Sequence, residues 1–169
     1  TKKSNELMAH SYSHLYDIPT IGLRFFTVYG PFGRPDMALF KFTKNILKNK
    51  KIELYNHGNH FRDFTYIADI IDGITPIIKK PKKDKIPFNI FNIGKGKSQK
   101  LMSYLNSIEK KLNKKAKIKM IPLQLGDIKK THSDVSLLNK YSGYSPTTDI
   151  DKGVSDFIDW YLEYYKIKL

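Results

Sequence analysis

Arginine is scarce in this sequence, and its positions indicate where a planar cation with several hydrogen-bond donors is needed. Lysine and arginine together number 30, and the arginines among them are Arg24, Arg34 and Arg62. The guanidinium group presents a rigid fork of donors that matches phosphate or carboxylate, which a lysine ammonium cannot reproduce. Arg34 lies in a loop stiffened by glycine and proline, and Arg62 precedes Asp63. Anion binding and a structural ion pair are equally good interpretations of Arg34 and Arg62, whereas Arg24, within an apolar strand, favours a structural role.

Two further groups of residues have side chains that could bind a ligand. His10 and His14 are four positions apart, as in zinc-binding helices, but no H-E-x-x-H arrangement accompanies them, and we predict an ordinary helix surface. Asp127, Thr131 and Asp134 form a polar cluster that either caps the following helix or orients a ligand, and capping is the simpler interpretation. The sequence has no cysteine, no G-x-G-x-x-G motif and no P-loop. We therefore predict no metal site and no thiolate chemistry.

The net charge of +14 comes mainly from lysine. Such a charge is typical of nucleic-acid-binding proteins, and the lysine-rich segments 79–85 and 110–119 could serve that purpose. Because phosphate-backbone recognition usually recruits arginine as well, we interpret the lysine as a compositional bias and predict no nucleic-acid partner. A non-enzymatic basic module, which would bind nucleic acid with steep salt dependence, stays the alternative. No apolar run approaches the roughly 18 residues of a membrane span and no signal peptide is visible, so we expect no membrane partner and a cytoplasmic location.

Helical and extended patterns alternate along the chain. Helices are predicted at 1–16, 37–50, 68–80, 101–115, 133–144 and 149–167, and strands or extended segments at 20–26, 52–55, 61–67, 86–94 and 116–123. This order predicts an α/β fold with mainly parallel strands. The nearly continuous apolar run 20–26 predicts a strand buried on both faces, followed by a loop at 27–36. Pro76 is expected to kink or shorten its helix. We expect the lysine-rich segment 79–85 to be a linker. A helical pattern that begins at residue 1 suggests that the sequence is a piece of a longer chain.

Several stretches together resemble one enzyme family. They are "TKKSNELMAHSYSHLY", "LRFFTVYGPFGRPDMALFKFTKNI", "YNHG", "RDFTYI", "FNIG", "LQLGDIKKTHSD" and "GYSPTTDIDKGVSDFIDWY". They resemble the C-terminal half of the extended short-chain dehydrogenase/reductase family, the NAD-dependent sugar-nucleotide epimerases and dehydratases, and most of all its UDP-glucuronate 4-epimerases. The resemblance covers essentially the whole chain.

The resemblance implies a fold and a division of the chain. The implied fold is the C-terminal part of a Rossmann-type parallel sheet plus a smaller mixed α/β substrate-binding domain. Residues 1–30 and about 61–94 would belong to the NAD-binding domain. Residues 31–60 and 95–150 would form the substrate domain, and 150–169 the C-terminal helix.

The resemblance also implies a catalytic residue and a reaction. The family's catalytic pair is Tyr-x-x-x-Lys, and "TKKSNE" matches the tail of that motif, so that Lys2 would be the catalytic lysine and would also bind the nicotinamide ribose of NAD. The tyrosine would be the third residue upstream of Thr1, and the glycine-rich dinucleotide fingerprint would also lie upstream. The implied reaction interconverts UDP-glucuronate and UDP-galacturonate through a 4-keto intermediate. We expect the 169 residues alone to be inactive.

The resemblance assigns residues to the sugar, the cofactor and the diphosphate. Thr27 would contact the hexose, at its C6 carboxylate, and Val28 would lie near the nicotinamide. Arg34 and Arg62 would bind the UDP diphosphate. A UDP-glucose 4-epimerase, or a dehydratase or decarboxylase of the same fold, is the alternative, because an asparagine in place of Thr27 would favour a neutral hexose.

A second set of residues would surround the uridine. Asp36, Met37 and Ala38 lead into the helix beside it, Tyr55 would flank the uracil, and Asp127 would hold the ribose. The partners implied are thus a UDP-sugar and NAD, and the full-length enzyme is expected to be a homodimer in which the first helix packs against its copy.

Overall fold

Helices alternate with strands through the computed structural model, which describes residues 1–79 and 87–169. The strands are β1 (Thr20–Phe25), β2 (Thr27–Tyr29), β3 (Lys51–Leu54), β4 (Phe61–Tyr66), β5 (Phe88–Ile93), β6 (Ser98–Lys100) and β7 (Lys117–Met120). The helices are α1 (Lys2–Tyr16), α2 (Ala38–Leu47), α3 (Ile67–Lys79), α4 (Leu101–Leu112), α5 (Ser136–Ser142) and α6 (Ile150–Tyr164). The predicted α/β class is confirmed.

Three parallel strand pairs and one antiparallel pair hold the described residues together. β1 pairs with β5, β2 with β4, and β3 with β7, all parallel, as the alternation predicted. β6 lies antiparallel to β4 and was not predicted. Its three residues, Ser-Gln-Lys, carry no strand pattern, so the strand exists because β4 offers it a partner.

The loop predicted at 27–36 is wrong at its start, because Thr27–Tyr29 form strand β2. Phe26 separates β2 from β1, and its backbone N–H still donates to the carbonyl of Ile93 at 3.2 Å. The chain then leaves β5 and pairs with β4. A run of three residues is too short to show a period in the sequence, so the change of partner strand is a tertiary effect.

The prediction that the first strand is buried on both faces is also wrong. Phe25, at the end of β1, is 54% exposed, Arg24 is also exposed, and the first four residues of the strand are only partly buried. Among the described residues β1 pairs with β5 alone. The predicted structural role of Arg24 is confirmed, because its Nε and Nη2 atoms donate to the two carboxylate oxygens of Glu6 at 2.7 and 2.8 Å. This ion pair joins β1 to α1.

Helix α3 contains Pro76 and still extends to Lys79. The proline therefore does not end the helix ahead of Lys79. Most of the predicted linker 79–85, and Ile86 at the start of the predicted strand, lie outside the described residues. Within 1–79 and 87–169, none of the helices has both the length and the apolar character needed to cross a bilayer.

The described residues form two hydrophobic clusters. The larger one combines α2, α4 and α6, and in it the rings of Phe64 and Tyr104 stack with centroids 4.2 Å apart. The smaller one combines α3, α5 and β5 around Ile93 and Leu138, both fully buried. The division of the chain into cofactor-side and substrate-side parts stays a prediction.

A buried carboxylate fastens β4 to two loops. Asp63 is completely buried and accepts hydrogen bonds from the backbone N–H groups of Lys95 (2.7 Å), Gly96 (3.1 Å) and Ser133 (2.9 Å), and from the Ser133 hydroxyl (2.6 Å). A local Arg62–Asp63 pair does not form, because successive residues of a strand point to opposite faces. Arg62 is therefore directed to the face opposite Asp63.

Candidate functional site

A cleft of about 320 Å³ lies between the N-terminal turn of α2, the end of β3 and the strand β4. Seven of the residues singled out in the sequence line it, namely Thr27, Asp36, Met37, Ala38, Tyr55, Arg62 and Asp127. They come from five separate segments of the chain. The parallel pairing of β2 with β4 and of β3 with β7 brings these segments together.

Arg62 and Asp127 form an ion pair at this cleft. Arg62 Nη2 donates to Asp127 Oδ1 at 2.9 Å, and the backbone N–H of Ile128 donates to the same oxygen at 2.8 Å. Arg62 Nη1 donates to the carbonyl of Phe61 at 3.1 Å. The arginine side chain is 19% exposed and the aspartate 32%. The pair thus holds its charged groups at the cleft while keeping some of the arginine donors available for an anion.

His60 lies beside this pair and is 4% exposed. Its Nε2 atom is 3.2 Å from Asp127 Oδ2, yet the geometry is not that of a hydrogen bond, and Nε2 is a buried polar atom without a partner. Burial and the charge of Arg62 lower the pKa of His60, against the opposing effect of Asp127. The imidazole is therefore neutral near pH 7.

The loop before α2 holds Arg34 outside the main cleft. Arg34 donates from Nε and Nη2 to the two oxygens of Asp36, at 3.1 and 2.5 Å, and both side chains are exposed. This pairing lowers the pKa of Asp36. Arg34 lines an adjoining cavity of about 40 Å³ together with Thr27 and Val28. Thr27 belongs to both spaces, so it links the arginine loop to the cleft.

Lys2 lies in a different groove. It is exposed at the start of α1 and lines an open space of about 600 Å³ together with Arg24 and Phe25. Glu6, one turn further along α1, pairs with Arg24 next to the last residue of β1, so Lys2 lies toward the carboxyl end of that strand. In open parallel sheets, ligands bind outside the carboxyl ends of the strands.

A family comparison bears on this arrangement. The sequence profile of the NAD dependent epimerase/dehydratase family matches residues 1–94. The chain belongs to this family. It is 50% identical over 180 residues to Protein CapI of Staphylococcus aureus, covering 98% of this chain and 54% of that protein. It is 40% identical over 181 residues to a probable UDP-glucuronate 4-epimerase of Rhizobium meliloti, covering 98% of this chain and 53% of that protein.

A solved structure of the epimerase/dehydratase family has the same fold. The UDP-glucuronic acid 4-epimerase of Bacillus cereus, in complex with UDP-glucuronic acid and NAD, superposes with a TM-score of 0.88 at 33% identity. The superposition covers 96% of this chain and 51% of that one. The chain thus spans about half the length of the relatives it matches. The Rossmann-type extended fold expected from the resemblance is confirmed.

Six cleft residues of this epimerase/dehydratase chain were missed in the sequence, namely Lys41, Phe42, Glu53, His60, Phe64 and Leu101. For two of them the sequence did contain an indication. Glu53 is two positions before Tyr55 and so lies on the same face of the predicted strand, and Lys41 lies one helical turn after Met37. His60 had none, because it lies in the connection before β4, where no periodicity orients a side chain.

The polar cluster predicted around Asp127 is divided in the structure. Asp134 Oδ1 accepts a hydrogen bond from the backbone N–H of Ser136, the first residue of α5, at 3.0 Å, although the N-cap position itself is Val135, whose side chain makes no cap hydrogen bond. Thr131 Oγ1 accepts from the N–H of Asp63. Asp127 belongs to the cleft instead.

The histidine pair on α1 shows no metal-binding geometry. The ring of His10 packs edge-on against Phe88, with centroids 5.0 Å apart. Within residues 1–79 and 87–169, no group of three or more histidine and carboxylate side chains could hold a metal ion.

Proposed function

We propose that this chain forms the UDP-sugar-binding half of an NAD-dependent 4-epimerase that interconverts UDP-glucuronate and UDP-galacturonate. The observation that carries the proposal is that seven residues from five separate segments, which the resemblance assigns to the UDP-sugar, line one cleft. Membership of the epimerase/dehydratase family supports the reaction class. Relatives named as UDP-glucuronate 4-epimerases support the substrate.

The cleft provides groups for the nucleotide. Arg62 would bind the diphosphate, because Asp127 and a backbone carbonyl occupy only part of its set of five donors. Asp127 would accept hydrogen bonds from the ribose. Tyr55, 37% exposed at the end of β3, would lie against the uracil ring, with Asp36, Met37 and Ala38 on the opposite side at the start of α2.

Arg34 would complete the diphosphate site by leaving Asp36. The ion pair between them is exposed to water, where such pairs contribute little to stability. A diphosphate could therefore replace the Asp36 carboxylate as the partner of Arg34 at small cost. Thr27, which lines both spaces, would donate its hydroxyl hydrogen to the C6 carboxylate of the hexose.

The residues present fit one end of a dinucleotide. Lys2 lies in an open groove near the carboxyl end of β1, where its ammonium group could donate to ribose hydroxyls of NAD. It could also lower the pKa of the catalytic tyrosine that the resemblance implies upstream of Thr1. Val28, partly buried after β1, offers an apolar contact for the nicotinamide. Bound NAD would supply reversible hydride acceptance at C4 of the sugar. The chain contains no G-x-G-x-x-G motif, so it could hold only this end of the cofactor.

The surface of α1 supports a homodimer of the complete enzyme. Five of its apolar or aromatic side chains are at least 60% exposed, namely Leu7, Met8, Tyr12, Leu15 and Tyr16. A patch of this kind on a helix is typical of an interface. We propose that it packs against the same helix of a second copy.

The decisive experiment incubates the complete protein with NAD and UDP-glucuronate and separates the UDP-sugars. UDP-galacturonate should appear, whereas UDP-glucose should give little or no product. If UDP-glucose were epimerised and UDP-glucuronate were not, the proposed substrate would be wrong. The 169 residues alone should neither turn over UDP-glucuronate nor bind NAD tightly, and turnover by them would contradict the division of roles.

A further inference from the structure

His60 is a buried, titratable cleft residue to which the proposed function assigns no role. Its side chain is 96% buried, and its Nε2 atom has no hydrogen-bond partner within residues 1–79 and 87–169. A buried polar group without a partner is costly, and in native proteins such a group calls for an explanation. The atom next to it that could accept a hydrogen bond is Asp127 Oδ2, 3.2 Å away.

The two oxygens of Asp127 are not equivalent. Oδ1 already accepts from Arg62 Nη2 and from the backbone N–H of Ile128, which use both of its lone pairs. Oδ2 has no hydrogen bond among the described residues. A ligand hydroxyl that binds Asp127 must therefore donate to Oδ2, the oxygen that faces His60.

The distance between His60 and Oδ2 is already that of a hydrogen bond, and only the alignment is lacking. Hydrogen bonds of this kind are often misaligned before a ligand binds and improve when it does. Because Oδ2 has two lone pairs, it can accept one hydrogen bond from the imidazole and one from a ligand hydroxyl at the same time.

We propose that His60 is a positioning residue that donates its Nε2–H to Asp127 Oδ2 and so fixes this oxygen to receive a ribose hydroxyl. The inference rests on the proposed nucleotide-sugar site. Arg62 then holds one oxygen of the carboxylate and His60 holds the other. The imidazole is neutral, which leaves its proton on the nitrogen that faces the carboxylate, since that tautomer is the one that gains a hydrogen bond.

The test measures UDP binding to the complete protein by calorimetry. His60→Leu removes the donor and should raise the dissociation constant roughly tenfold, since the lost hydrogen bond is to a charged group. His60→Gln keeps an N–H of similar reach and should stay within about threefold of the wild type. His132→Leu, at an exposed position outside the cleft, is the control and should bind as the wild type does.

A second pair of measurements separates positioning from a purely structural role. On an Asp127→Ala background, His60→Leu should cause no further loss, because the acceptor is already gone. Equal losses for His60→Leu and His60→Gln, or the same loss on both backgrounds, would overturn the inference. Wild-type affinity for UDP in His60→Leu would overturn it and leave the proposed function intact.

Nuclear magnetic resonance makes the proposal testable even if His60→Leu does not fold. In the wild-type protein saturated with UDP, the ¹⁵N shifts of His60 should identify the Nε2–H tautomer. The Nδ1–H tautomer would overturn the inference. Failure of the wild type to bind UDP at all would instead overturn the proposed function, and the inference with it.

Discussion

Arg62 and Asp127 are 65 positions apart in the sequence and are joined by a hydrogen bond of 2.9 Å between Nη2 and Oδ1. This contact connects β4 with the segment that follows β7. It places a cation and an anion side by side in one cleft, the combination required for binding a diphosphate and a sugar hydroxyl together. The consequences for binding, stability and pH dependence can each be measured.

Replacement of Arg62 should weaken UDP binding in proportion to the donors removed. Arg62→Lys should raise the dissociation constant by about tenfold, because one ammonium group cannot reproduce a planar fork, and Arg62→Ala by about a hundredfold. Calorimetry with UDP provides the measurement. Arg24→Lys, whose arginine pairs with Glu6 away from the cleft, is the control. Unchanged affinity in Arg62→Ala would contradict the assignment.

Thr27→Val should change substrate preference rather than nucleotide affinity. The substitution keeps the shape of the side chain but removes the hydroxyl that we propose for the C6 carboxylate. We expect kcat/KM for UDP-glucuronate to fall by roughly tenfold, a typical cost of a lost hydrogen bond to a charged group, with UDP affinity unchanged. Thr75→Val, on the exposed side of α3, should have no effect. If Thr27→Val weakened UDP binding as much as it lowered kcat/KM, the proposed contact of Thr27 with the C6 carboxylate would be wrong.

Asp63→Ala should destabilise the protein by about 4 kcal/mol, because three buried or partly buried N–H groups lose their acceptor at once. Urea-induced unfolding gives the free energy. Asp72→Ala, at an exposed position of α3, should change it by less than about 0.5 kcal/mol. A similar small change for both variants would show that the buried carboxylate has little structural importance.

Gly30→Ala should lower the free energy of unfolding more than Gly143→Ala, although both glycines have a positive φ. Gly30 has a φ of 142°, and a Cβ there would lie 2.6 Å from Ile67 Cγ2. Gly143 has a φ of 76° but open space around it. We expect losses of about 3 kcal/mol for Gly30→Ala and about 1 kcal/mol for Gly143→Ala in the free energy of unfolding, since only the first combines strain with a clash. Equal losses would mean that backbone strain alone matters.

Stability should fall on the acid side because of His60. Burial and the charge of Arg62 lower its pKa in the folded protein below the value of 6.5 that applies to the free side chain. The unfolded chain therefore binds more protons as the pH falls through about 6.5, and the free energy of unfolding decreases. The decrease between pH 7.5 and pH 5.5, measured with urea, should be smaller in His60→Gln. An equal decrease in both proteins would contradict this effect.

The order of helices and strands was determined by the sequence, because each element carries its own period. The amphipathic helix α4 and the apolar strand β5 were both predicted, and they depend on contacts that recur every few residues. The scarce arginines likewise pointed to Arg34 and Arg62 without any structure. The resemblance then supplied the ligand, which no periodicity contains.

Only the tertiary structure decided how these elements combine. Strands β2 and β6 exist because β4 pairs with them, and the partner of Arg62 proved to be Asp127 rather than its neighbour Asp63. The unpartnered nitrogen of His60 is also a property of the assembled cleft. The physical reason is the same in each case. Local patterns determine which face of a segment is apolar, whereas contacts between distant segments depend on which strands pair and where they end.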